Sequence, residues 1–160
     1  MDYKILPDDT RIWIYQADRQ LTDDEVKEIR LQGEEFVNIW TAHGVKLSAA
    51  IEVFHNQFVI VFADEHQARA SGCSIDKSVR FIKQLEIQFG IALLDRNLIT
   101  YKDGEEVITC TRDEFTKHAS NARVTDDTLV FNNLIVTKGD LESNWLVPLK
   151  NSWQKDLVGG

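Results

Sequence analysis

"LSAAIEVFHNQFVIVFAD", residues 47–64, holds two extended runs that meet at His55 and Asn56, and the contrast between them decides the fold. Asparagine tolerates a positive φ, so this pair reads as the turn of a tight hairpin. In the first run Leu47, Ala49, Ile51 and Val53 alternate with Ser48, Ala50 and Glu52, the pattern of a strand with a more exposed face. The second run, Phe58 to Phe62, is apolar on both faces and needs cover above and below. It belongs inside a sheet.

Working towards the N-terminus, "LTDDEVKEIRLQGEEFVNIWTAHG" (21–44) opens with a capping box from Thr22 to Glu25. It spaces Val26, Ile29, Gly33, Phe36, Val37 and Trp40 as one face of a helix, with Gly44 as its stop. Before it, "RIWIYQA" (11–17) is β-branched and aromatic on both faces and reads as a central strand. Towards the C-terminus, Ser74 to Phe89 turns Ile75, Val79, Ile82, Leu85 and Phe89 to one side and ends at Gly90, a second helix. "NLITYKDGEEVITCT" (97–111) is two strands about an Asp-Gly turn.

The order is β-α-β-β-α-β-β. Its first six elements match the ferredoxin-like plan, in which the first and third strands are central. Such a sheet carries helices on one face, so residues 111–157 or a second subunit must cover the other. The chain is thus expected to be one α/β domain over 1–160, a ferredoxin-like core (1–110) followed by an extension (111–160). Thr111 and Glu114 form another capping box, opening a short helix over Phe115 and His118. In "TLVFNNLIVTKGDLESNWLVPLKNSW" (128–153), Val130, Leu134, Leu141 and Trp145 keep a period near 3.6 up to Pro148, so the extension reads as mostly helical.

Composition narrows the partners. The net charge is −8, from 26 acidic against 18 basic residues, and no two basic residues adjoin. Nucleic acid, which needs phosphate neutralised, is excluded as a partner. "FVIVFA", six residues, is far short of the roughly twenty that span a membrane, and "MDYKILPDDT" lacks the basic and apolar regions of a leader. A cytoplasmic protein is expected. Two cysteines, Cys73 and Cys110, make no disulfide framework and no C-x-x-C pair, so both are expected as thiols.

Chemistry concentrates in "FADEHQARASGCSIDKSVRF" (62–81). In the ferredoxin-like plan this loop lies at the same end of the sheet as residues 41–46, gathering His43, Asp64, Glu65, His66, Arg69 and Cys73. Arg11 and the Asp103-Gly104 turn should reach that end too. Cys73 falls at a helix start, where free N–H groups and the macrodipole favour a thiolate, and His43 or His66 could act as its base. The bland counterpart is a tight turn of small residues around an N-cap. The same Ser71, Gly72, Cys73 and Ser74, with Arg69, could instead hold a phosphate or carboxylate. Asp64/His66 and His43/Cys73 lack the spacing of a zinc site, so no metal and no cofactor is expected. The closing "LVGG" matches the diglycine tail of ubiquitin-like proteins over two residues and reads as a frayed end.

At "SGCSIDKSVRFIK" (71–83), "TKGDLESNW" (137–145) and "VPLKNSW" (147–153), the chain resembles a family of small uncharacterised bacterial proteins labelled ABC transporter ATPase. That label implies nucleotide binding, which needs G-x-x-x-x-G-K-[ST] to wrap phosphates in backbone N–H groups. No glycine here starts such a motif. The expectation is a non-catalytic module that binds a protein or small ligand at the Cys73 end and dimerises through an open sheet face or edge. The alternative is a thiol enzyme or redox sensor using Cys73.

Overall fold

A computed structural model describes residues 1–158. It is a mixed α/β protein in two compact units, the first made of Met1–Leu94 with Val136–Gly139 and the second of Asp95–Ile135 with residues from 140 onward. The terminal diglycine lies outside the described residues.

The first unit begins with a 3-10 turn (Tyr3–Ile5), then β1 (Arg11–Gln16), α1 (Asp23–Ile39), β2 (Thr41–Ala42), β3 (Val45–Lys46), β4 (Ser48–Phe54), β5 (Phe58–Asp64) and α2 (Gly72–Phe89). The sheet order is β1-β5-β4, all antiparallel, with Ile14 opposite Ile60 and Ile51 opposite Val61. The strand that is apolar on both faces is therefore the middle one, and Phe58 to Ala63 are fully buried. The hairpin before it turns on His55 and Asn56, both at positive φ, with the Gln57 N–H returning to the Phe54 carbonyl.

One face of this sheet packs on α1 and α2 through Val26, Ile29, Val37, Ile82 and Leu85. Gly33 is the contact point, because a Cβ there would lie 3.0 Å from Cβ and Cγ2 of Ile51. That close packing buries Ala49, Ile51 and Val53 as their alternation indicates, but Ala50 is also buried and Ser48 and Glu52 are half-buried, so β4 is less exposed than its alternation suggests. On the other face Tyr3 stacks on Phe62 at 4.9 Å and meets Phe54 edge-on at 5.3 Å.

The ferredoxin-like sheet is not what forms. Its fourth strand should lie beside β1, but the outer edge of β1 is taken by Val136 and Thr137: Ile12 N–H donates to the Val136 carbonyl and Arg11 bridges Thr137. The next strand, β6 (Leu98–Asp103), instead enters a sheet of the second unit, ordered β7-β6-β8-β9, with β7 (Glu106–Thr111), β8 (Leu129–Phe131) and β9 (Leu146–Pro148). The rest of this unit is α3 (Arg112–Ser120), most of α4 (Lys138–Ser143), a 3-10 turn (Leu149–Asn151) and α5 (Lys155–Val158). Its core gathers Ile99, Tyr101, Cys110, Phe115, Val124, Val130 and Leu149.

The extension is therefore strand and helix mixed rather than mostly helical. Asn132 breaks the helical period: its Oδ1 accepts the Leu134 N–H in an Asx turn, and Leu134, placed on the apolar stripe by sequence, is exposed. Helix starts were better specified. Thr22 with Glu25 and Thr111 with Glu114 both form complete capping boxes. No helix among the described residues is long and apolar enough to cross a membrane.

Candidate functional site

Helix α1 stops at Ile39, five residues before Gly44. Thr41–Ala42 and Val45–Lys46 pair as a small hairpin whose turn, His43 and Gly44, has φ of 51° and 79°. Trp40 explains the placement. Its ring is buried, and its indole N–H donates to the Ser74 carbonyl at 2.8 Å, tying the base of the hairpin to the first turn of α2. The two segments expected to be neighbours are thus joined; the hairpin carries exposed His43 and Val45, and Ile39, the last residue of α1, is exposed just before it.

Helix α2 begins two residues earlier than its periodicity indicates. Ser71 is the N-cap: its Oγ accepts the Ser74 N–H at 3.1 Å, while Ser74 Oγ donates to the Ser71 carbonyl. Cys73 consequently sits inside the first turn, exposed, with Gly72 exposed before it. Ile75 N–H makes the first intrahelical bond, to Ser71 O, so the N–H groups of Gly72 and Cys73 lie ahead of the hydrogen-bonded ladder. Arg69 is exposed in the loop leading in.

The acidic residues of that loop are occupied in holding it. Asp64 Oδ1 accepts both the backbone N–H and ring Nδ1 of His66, at 3.1 and 2.5 Å, and Glu65 Oε2 accepts the Ala70 N–H at 2.8 Å. The other ring nitrogen of His66 lies 3.1 Å from Asp9 Oδ2, and Arg11 reaches Glu65 at 3.8 Å while lying over the Trp13 ring. The Asp64 hydrogen bond, then the charge of Asp9, raise the His66 pKa, and the bonds from His66 lower that of Asp64. Each ring nitrogen thus faces a carboxylate, and the protonated ring can donate to both.

His43 stands at the tip of the hairpin, and the Asp103-Gly104 turn belongs to the second unit. Among the described residues no three His, Cys, Asp or Glu side chains group as metal ligands. The other thiol, Cys110, is buried in the second core and pushed up to about 11 by that burial. Sequence reasoning missed a polar cluster beside it. Tyr101, fully buried, shares a 2.8 Å hydrogen bond with His118 Nδ1, and Arg123 donates to Asp103 at 3.1 Å. Nothing local in the sequence marked His118 as the partner of Tyr101.

No family model, curated relative or solved structure matches the chain.

Proposed function

We propose that the protein is a cytosolic binding module whose recognition surface is the end of the first unit where the β2–β3 hairpin stands beside the start of α2. The observation that carries this reading is the Trp40–Ser74 hydrogen bond. It fixes the hairpin, with Val45 at 50% exposure and the end of α1 before it exposing Ile39 at 77%, against a helix start that offers the N–H groups of Gly72 and Cys73. Such a surface suits a protein partner that places apolar side chains on Ile39 and Val45 and an acidic group at the helix start, near Arg69. The resemblance to the small bacterial family adds no catalytic residue, because the phosphate-wrapping motif implied by its label is missing.

The test is site-specific photocrosslinking in cells. A photoreactive residue at position 45 should capture a discrete partner, whereas the same residue in place of Ile87, equally apolar and 84% exposed on α2, should not. Equal capture at the two positions, or none at 45, would sink the reading.

A further inference from the structure

Charge is unevenly placed along the chain. Residues 41–90 hold five basic and five acidic residues, so the whole surplus of −8 lies outside them. Within this stretch the carboxylates are taken up by the fold. Glu52 pairs with Arg30 and accepts the Val53 N–H, Asp64 holds His66, Glu65 accepts the Ala70 N–H, and Glu86 accepts the N–H groups of Leu93 and Leu94. Asp76 alone is left without a partner among the described residues.

The cations are the reverse. Lys46, Arg69, Lys77, Arg80 and Lys83 are all exposed, and among the described residues none of their side chains makes a hydrogen bond or ion pair. Elsewhere in the first unit Arg11, Arg19 and Arg30 each face a carboxylate. The free cations are also ordered in space. Cys73, Lys77 and Arg80 follow at spacings of four and three residues, one exposed stripe over about two turns of α2, with Lys83 on its flank. Arg69 precedes the N-cap, and Lys46 stands on β3 of the hairpin that Trp40 ties to Ser74. The N–H groups of Gly72 and Cys73 add the positive end of the helix to the same stripe.

We infer that the outer face of α2, from the loop at Arg69 to Lys83, docks an acidic segment of another protein, which rests on the recognition surface proposed above and gives its partner a charge. Complementarity selects that partner. Five free cations against one free carboxylate attract a short run of Asp and Glu, while the acidic surplus elsewhere repels the same run and so fixes where it lands. A nucleic acid duplex or an anionic bilayer spreads its charge over far more surface than the stripe offers, and so also meets that surplus.

The probe is a hexaglutamate peptide titrated into the isotope-labelled full chain and followed by NMR. At low salt the shifted amides should cluster at residue 46 and residues 69–83, and the shifts should fade as salt is raised. Lys77→Glu with Arg80→Glu should weaken binding about fivefold or more, as two exposed ion pairs are lost. Lys117→Glu with Lys155→Glu, an equal change of net charge in the second unit, should leave binding at the parent value. Circular dichroism checks that each variant is folded, and Arg69→Glu, outside the helix, decides if the α2 variant is not. No shifts at millimolar peptide, shifts scattered over the surface, or equal weakening by the two double variants would overturn the inference. So would tighter binding of phosphatidylglycerol vesicles or of a DNA duplex at the same salt. Position 45 separates the two readings. A partner captured there equally well by the Lys77→Glu, Arg80→Glu protein keeps the recognition surface and removes the acidic partner, whereas peptide bound on α2 with nothing captured at 45 does the opposite.

Discussion

His66 is held from two directions, by Asp64 within its own loop and by Asp9 on the segment leading into β1. Because its folded pKa lies above the ordinary 6.5, the attraction is full below about 6.5 and is lost as pH rises through the raised value. Asp64 works in the other sense. Its folded pKa lies below 3.8, so its contribution is present above about 3.8 and disappears as pH falls through the lowered value. Replacing His66 by Gln should therefore destabilise the protein most between about 4 and 6.5, with the difference from the parent shrinking in alkali. Urea unfolding at a series of pH values checks this, and a pH-independent gap would refute it. In the sequence, Asp64 and His66 could be seen as a pair because an Asx turn is local. Asp9 could not, since only the antiparallel packing of β1 on β5 brings its segment to that loop.

At the scale of elements, Gly33 sets the distance between α1 and the sheet. Gly33→Ala would drive a methyl group into the branched side chain of Ile51, which β4 and its buried neighbours hold in place. The expected cost is about 1–3 kcal/mol, typical of overpacking, read as a lower urea midpoint with an unchanged m-value. An unchanged midpoint would mean that α1 shifts freely on the sheet. Elements written in local chemistry were legible: the capping boxes at Thr22 and Thr111, the His55-Asn56 turn, and the two-faced apolar strand. Which strand pairs with β6 was not, because an apolar face demands cover without naming it. The β8 and β9 strands, three residues each, are too short to show a period, and Leu134 mimicked a helical stripe across an Asx turn. The candidate site was legible to the same degree: the hairpin and helix start were expected as neighbours, but the Trp40–Ser74 bond that joins them was not.

For the whole molecule, the decisive segment is 136–139, which returns to the first unit after the chain has built part of the second. Lys138 is buried there, its ammonium donating to the carbonyls of Leu6 at 2.8 Å and Lys4 at 3.3 Å, while its N–H reaches Thr10 O. Lys138→Met keeps the volume but orphans those carbonyls, at an expected cost of about 1–3 kcal/mol. Amide exchange at Ile12, bonded to Val136 O, should accelerate in step. If Ile12 stays as protected as in the parent and the urea midpoint holds, the segment is not what secures the edge of β1.

The same return path imposes a timetable on synthesis. Translation proceeds from the N-terminus, so β1, β4 and β5 leave the ribosome long before the residues that cover the β1 edge. Closing a contact between Lys4 and Lys138 also carries the entropy of a very long loop. The nascent sheet must therefore wait with one flank bare until residues 136–139 have been made. A chaperone that shields strand edges would find its work on this protein during that interval.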